Sequence, residues 1–466
     1  MTHSEPAADF RAFLSTFAEN LTARPPAEVY GREAETRQVL LALASPLKGR
    51  VVVTGPARVG KTTVVQAAAQ AIARGACPPE LRGKEVWRFS PSGLPGLGQA
   101  GHWQAALEQL LAGWAAHPAL ILFIEDLPRA ARLPGGSSDD DEARNVDVAT
   151  LLAAGLTHQS GLCLAESDGE VWRRFTEAYP DYGRLFLSVS LTEPGLAAAQ
   201  PIVQQAADDL GRLNGVSVGA DAVELALDLS QRYLLDRAQP GKALDLIKDA
   251  LAVARRAAGD PGARLTSADI IARFGEQTGL PRILLDDAVP FDEVEVRRLF
   301  KGRVLAQEQA VEAIVQVLSL LRARVNNPLR PMGVLLFLGP TGVGKTELAR
   351  TLAEYLYSDR DRLVRFNMAD YTSPHAANAL FGAAYANDVA QRRGLITTRL
   401  AGRPFAVIVL DEFEKAHPYI YFRFLQLFDE GLLLNGNDET INLRNAILIL
   451  TSNFGAQLVE HGRLGF

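Results

Sequence analysis

The chain has 466 residues, 48% of them hydrophobic, and a net charge of −6, which gives room for about three domains that each bury a core. A sequence pI of about 5.8 leaves no global basic field, which argues against nucleic acid as the main partner, and two cysteines without CxxC spacing argue against a disulfide framework or a zinc site. The first residues lack a basic, apolar leader and no run reaches the roughly 18 uncharged apolar residues of a membrane span, so no membrane partner and a reducing, cytoplasmic location are expected.

Residues 1–30 read as a short helical extension ending at Pro25 and Pro26. Residues 31–192 alternate apolar runs with Ala-rich helical stretches, the pattern of an α/β module whose parallel sheet is covered on both faces. Within them RVVVTG (Arg50–Gly55) predicts a strand, GPARVGKTT (Gly55–Thr63) a phosphate-cradling loop, and the Ala-rich run after it a helix. In such a loop glycines turn backbone N–H groups towards phosphates, a lysine neutralises the β/γ charge and a hydroxyl holds Mg²⁺. Gly55, Gly60, Lys61 and Thr62 suit those roles, with ATP and Mg²⁺ as the implied ligands. A second apolar run, ALILFIED, ends in Glu125 and Asp126. One carboxylate at such a strand end can face the metal shell while the other orients or deprotonates the attacking water. The run Pro134–Glu142 is rich in acids and reads as a solvated loop.

From 193 to 259 the apolar period becomes helical, as a small lid would be, and 260–290 is rich in charge and proline and reads as a linker. Residues 291–466 form a second α/β module. There GVLLFLG runs into GPTGVGKTE (Gly339–Glu347), which supplies Gly339, Gly342, Gly344, Lys345 and Thr346, and FAVIVLDE ends in Asp411 and Glu412. Thr62, Thr346 and Asp411 are the candidate metal-side oxygens. The two loop lysines stand 284 residues apart, and a polar residue follows the first acid by 42 in both modules, Ser167 after Glu125 and Asn453 after Asp411. This repetition indicates an internal duplication and hence tandem P-loop modules, the first with a helical lid.

These landmarks resemble the Clp family of AAA+ ring ATPases. VLAQEQAVEAI (Val304–Ile314), the second P-loop, VLDEFEKAHP and LILTSNFG carry the likeness in the second module; VYGREAE (Val29–Glu35), GPARVGKT, ILFIED and YLLDRAQPGKALDLIKDA (Tyr233–Ala250) carry it in the first. The resemblance spans about residues 20–466 and implies tandem AAA+ modules in an ATP-hydrolysing subunit that remodels or unfolds protein substrates as a homo-oligomeric ring, a hexamer in the family. It further implies that Asp411 orders Mg²⁺, Glu412 activates water and Asn453 senses the γ-phosphate.

Several positions depart from the family pattern. The first module reverses the usual acid order to Glu125-Asp126, and a misplacement of about 1 Å can cost around a hundredfold. Paired arginines that reach a neighbouring subunit are represented in YGRLF by Arg184 alone. The first module is therefore expected to bind ATP and support assembly while hydrolysing slowly. The pore-aromatic positions fall on Gln99 and Asn387, with Tyr385 either substituting or packing as an ordinary core residue. The sequence ends before the family's arginine finger and C-terminal lid arginine would occur, and Leu464, Gly465 and Phe466 resemble the tripeptide by which peptidase-partnered members dock. A different class stays open beside the motor: a nucleotide-dependent scaffold or regulatory subunit that does not thread substrate.

Overall fold

The apolar runs Arg50–Thr54, Leu120–Ile124, Ala406–Asp411 and Ala446–Ser452 become strands whose residues are nearly all buried, whereas Gly333–Leu338 leaves Val334, Leu336 and Leu338 exposed. A computed structural model describes residues 5–453 other than 17, 24–28, 46–48, 90–102, 132–151, 154, 158–160, 258–262, 341, 358–361, 384–388, 401–404 and 437–439. The chain divides into two compact units, Met1–Gly215 with Leu234–Lys248, and Val216–Tyr233 with Asp249–Phe466.

The first unit holds β1 (Ala18–Asn20), β2 (Arg50–Thr54), β3 (Glu85–Phe89), β4 (Leu120–Ile124), β5 (Leu162–Ser167) and β6 (Leu187–Ser190). They lie in the order β1-β3-β4-β5-β2-β6, with β1 antiparallel to β3 and the other pairings parallel. Ile121 and Phe123 of β4 enter one core with Val51, Val53 and Val65, whereas Leu122 and Ile124 enter the other with Val52, Trp114 and Phe175. Burial on both sides explains why β4 reads as a continuous apolar run. The N-terminal stretch, expected to be a mere extension, is built into this unit: Phe10 and Leu14 of the helix Glu5–Ser15 are buried in the Trp114 core.

In the second unit β7 (Ser217–Val218) and β8 (Arg264–Leu265) form a short parallel pair. The helix Ser267–Thr278 follows, within the stretch read as linker. Its charges masked a helical stripe of Ile270, Ile271 and Phe274, all buried, and Thr266 with Asp269 closes a capping box at its start. The main sheet comprises β9 (Gly333–Leu338), β10 (Leu363–Asn367), β11 (Ala406–Asp411) and β14 (Ala446–Ser452), ordered β10-β11-β14-β9 and wholly parallel. β12 (Leu432–Leu434) and β13 (Thr440–Asn442) pair as an antiparallel ribbon. The 193–259 stretch read as a lid carries the helices Leu196–Asn214, Ala220–Tyr233 and Gly241–Ala257, and the division between the units runs through it.

The orders β3-β4-β5-β2 and β10-β11-β14-β9 are the same arrangement. In each, the strand that feeds the P-loop lies beside the strand that comes last in that set, so chain order reverses there. Open α/β sheets bind ligands at the carboxyl ends of strands at such a point.

Phe123 is wholly buried at the centre of β4. Phe123→Ala is expected to lower the unfolding free energy by about 3–5 kcal/mol, read from the shift in the urea unfolding midpoint.

Candidate functional site

Each P-loop starts where a parallel strand ends and closes into the first turn of a helix. In the second unit Gly339, Gly342 and Gly344 have φ of 152°, 88° and 100°, backbone that L-residues seldom adopt. The helix Lys345–Tyr357 begins at once, so loop amides and the helix N-terminus converge on the same anion position. Lys345 Nζ donates to Gly339 O at 2.6 Å, Asn453 Oδ1 at 2.9 Å and Ser452 O at 3.2 Å. Burial lowers its pKa, against the nearby Glu414, Asp411 and Glu412.

The acids of β11 are held by one hydroxyl. Thr451 Oγ1 donates to Asp411 Oδ1 at 3.0 Å and accepts the Glu412 N–H at 3.2 Å. Asp411 also pairs with Arg365 of β10, and Glu412, at φ 54°, pairs with Lys415 at 2.8 Å. Glu414 Oε1 accepts the Asn453 N–H at 3.0 Å. Burial alone would raise the Glu414 pKa, but this and other hydrogen bonds outweigh it and leave the carboxyl below its ordinary range. Lys345, Thr346, Asp411, Glu412 and Asn453 thus meet around one cleft of about 570 Å³, which Arg350 and Arg365 also line. A volume of this order suits a small-molecule ligand. Hydroxyl and carboxylate oxygens there suit a hard cation such as Mg²⁺, and the glycine-lined anion position suits a polyphosphate.

The first unit repeats the frame with different side chains. Gly55 and Gly60 have φ of 151° and 104°, and a Cβ on Gly55 would lie 2.6 Å from Leu191 O. Arg58 occupies the place of Gly342 and keeps a left-handed backbone, φ 68°. Its side chain pairs with Asp245 at 3.0 Å, and next to it the Ala238 N–H donates to Ala57 O at 2.8 Å. Arg32 is buried and donates to Val59 O at 2.9 Å and Thr192 O at 3.1 Å, bracing the loop from the far side. Lys61 Nζ donates to Gly55 O at 2.8 Å and Pro56 O at 2.9 Å. Burial lowers its pKa, while Glu166, Asp168 and Asp126 oppose that shift.

Strand register corrects one sequence pairing. Thr54 lies opposite Ser167, and Leu338 opposite Ser452. Since Thr54 and Leu338 each precede the first loop glycine, Ser167 is the counterpart of Ser452, Asp168 of Asn453 and Glu166 of Thr451. The equal spacing of 42 misaligned Ser167 with Asn453 by one residue, because the connection from acid to strand end differs in length between the units. Asp168 caps the helix Gly169–Ala178 by accepting the Glu170 N–H at 2.9 Å. Glu166 accepts the Thr62 hydroxyl at 2.8 and 3.1 Å through its two oxygens. Burial raises its pKa, the Thr62 hydrogen bond lowers it, and Glu125 raises it further.

Glu125 lies 3.6 Å from Arg88, and Asp126 has φ 46°, the same left-handed turn as Glu412. Arg184 is not part of this cluster; its side chain is 83% exposed and 3.9 Å from Asp181. Gln99, Tyr385, Asn387, the acidic 134–142 loop and Leu464, Gly465 and Phe466 fall outside the described residues. Sequence reasoning missed Glu166, Arg365, Glu414 and the bracing role of Arg32. Glu414 lay within the quoted VLDEFEKAHP run, two residues past the acid pair, and Arg32 within VYGREAE, so both could have been found there; Glu166 and Arg365 become visible only through strand pairing.

Residues 330–464 match the family described as AAA domain (Cdc48 subfamily), and residues 196–271 match an AAA lid domain. Among curated proteins the chain is 27% identical over 517 residues to the Bacillus subtilis negative regulator of genetic competence ClpC/MecB, covering 97% of this chain and 63% of that protein. It is 28% identical over 498 residues to the chaperone protein ClpB of Oceanobacillus iheyensis, covering 94% of this chain and 61% of the relative. The chain therefore spans about three fifths of the length of these curated relatives. Among solved structures it is similar to a closed-state cryo-EM reconstruction of Hsp104 with ATPγS and FITC casein, at TM-score 0.77 and 25% identity over 97% of this chain and 77% of that one. The S. cerevisiae Hsp104–casein complex in its extended conformation gives TM-score 0.74 and 26% identity, covering 97% of this chain and 77% of the other.

Thr451 is buried, and it holds both Asp411 and the Glu412 N–H. Thr451→Val would leave both groups without that partner and is expected to cost about 1–3 kcal/mol, measured by denaturant unfolding of the variant beside the parent.

Proposed function

We propose that the chain, which is similar to Clp and Hsp104 proteins of the AAA+ class, binds and hydrolyses ATP as a Clp-type subunit that remodels or unfolds protein substrates, working as a homo-oligomeric ring. The observation that carries this reading is the convergence of Lys345, Thr346, Asp411, Glu412 and Asn453 on one cleft at the switch point of a parallel sheet.

In this reading Lys345 neutralises charge on the β- and γ-phosphates, while Thr346 and Asp411 hold Mg²⁺. The metal ion, when bound, stabilises the charge that develops on the transferring phosphoryl oxygens. Glu412 orients the attacking water and takes up its proton at the carboxylate, for which it must leave Lys415. Thr451 keeps that carboxylate in line by fixing the Glu412 backbone N–H. Asn453 already joins Lys345 through its side chain and Glu414 through its backbone, so a ligand at the phosphate position is felt along β14. The cytoplasmic location belongs to the same proposal and rests on composition and on the likeness to Clp proteins, and the peptidase contact through Leu464, Gly465 and Phe466 rests on the resemblance alone.

The first site supports ATP binding with slow hydrolysis. There the acid order is reversed and Arg58 stands in a glycine's place. These departures also favour a second reading, in which nucleotide governs assembly and no substrate is threaded.

Steady-state ATP turnover separates these readings when the chain is compared with Lys61→Ala and Lys345→Ala, with and without casein. Lys345→Ala is expected to lower turnover by about a hundredfold or more, as loss of a group that stabilises developing charge does. Lys61→Ala is expected to retain most of it, and casein to raise it. Turnover that is indifferent to Lys345 would contradict the proposed mechanism, and turnover indifferent to casein would favour the assembly scaffold.

A further inference from the structure

The last residue but one of β5 and of β14 differs in kind between the units. In the second unit it is Thr451, whose hydroxyl supports Asp411 and Glu412. In the first it is Glu166, which adds a carboxylate of its own and takes the hydroxyl of Thr62 with both oxygens, at 2.8 and 3.1 Å. Thr62 is the loop residue that must present its oxygen to the cation of a bound nucleotide. Glu166 therefore sits where that cation would be held, 105 residues from Lys61 in sequence but brought to it because Val53 and Glu166 are direct partners in the parallel pairing of β2 and β5.

The surrounding charge sharpens the effect. Glu166, Asp168 and Asp126 act electrostatically on Lys61, and among the described residues Arg88 pairs with Glu125 at 3.6 Å. In the second site Asp411 is paired with Arg365 and Glu412 with Lys415, and Arg350 lines the same cleft. A polyphosphate arriving alone adds negative charge next to a carboxylate that the first site has and the second site lacks at the same strand position.

We propose that Glu166 makes nucleotide binding at the first P-loop strictly dependent on a divalent cation: it repels metal-free polyphosphate and gives the cation of a metal-loaded nucleotide one more carboxylate beside Thr62. Glu166 is a positioning and selectivity residue in this role. It rests on the reading that the Lys61 loop binds a nucleoside triphosphate, and it goes beyond that reading by assigning the site a metal requirement that the second site does not share to the same degree.

The test is equilibrium binding of a fluorescent ATP analogue to the full chain carrying Lys345→Ala, in Mg²⁺ and in EDTA, with Glu166 intact, with Glu166→Gln and with Glu166→Thr. A unit charge at about 6 Å and an effective dielectric constant near 20 corresponds to roughly a hundredfold in affinity before screening, so removing it should tighten metal-free binding by about tenfold or more. The ratio of metal-free to Mg²⁺ dissociation constants should shrink by at least that factor in both variants, with unchanged thermal midpoints showing that the fold is intact. A ratio that stays the same in Glu166→Gln and Glu166→Thr would overturn this inference while leaving nucleotide binding in place. If the chain with Glu166 intact binds no analogue in either condition, the inference and the reading beneath it both fall.

Discussion

Lys61 and Lys345 each donate to the carbonyl of the glycine that opens their own loop, at 2.8 and 2.6 Å. That bond fixes the ammonium over the loop mouth and can form only if the chain folds back on itself within six residues, which requires backbone turned through positive φ at Gly55 and Gly60 and at Gly339, Gly342 and Gly344. The rest of each unit serves this geometry. A parallel strand delivers the loop, a helix starts directly after it, and the neighbouring strand ends bring carboxylates to the same point. The central strands β2, β4, β11 and β14 are almost wholly buried and leave little freedom for the ends that carry the acids to shift.

A shared frame does not impose shared chemistry. Thr451 supports Asp411, whereas Glu166 at the equivalent strand position accepts the Thr62 hydroxyl, so one exchange of hydroxyl for carboxylate changes what the strand end holds. Arg58 in place of a glycine points the same way. Its left-handed backbone costs the first loop strain that the second avoids, and the pairing with Asp245 together with the Ala238 N–H on Ala57 holds it there. The first unit thus carries a phosphate loop braced from several sides, by Arg32 as well, which suits holding a ligand more than releasing it quickly.

Much of this was legible in the sequence because it is local. A strand, a glycine-rich turn, a lysine and a helix lie within about twenty-five residues, and an apolar run ending in paired acids announces itself. Arg365 and Glu166 were not legible as site residues, since their places depend on which strand lies next to which and in what register. The equal spacing of 42 residues misled for the same reason: sequence distance counts loop residues that register ignores. The helix Ser267–Thr278 escaped notice because charged residues surround a stripe of three apolar ones, and the N-terminal residues read as a short extension because β1 pairs with β3, whose residues lie far along the chain, as Ala18 with Phe89.

The central claim is that both loops are nucleotide sites, built on one frame with different side chains. Binding stoichiometry of ATP with Mg²⁺, measured by equilibrium dialysis on the parent chain, Lys61→Ala and Lys345→Ala, tests it most directly. The account predicts two nucleotides per chain, falling to one in either variant; one nucleotide per chain that Lys61→Ala leaves unchanged would contradict it.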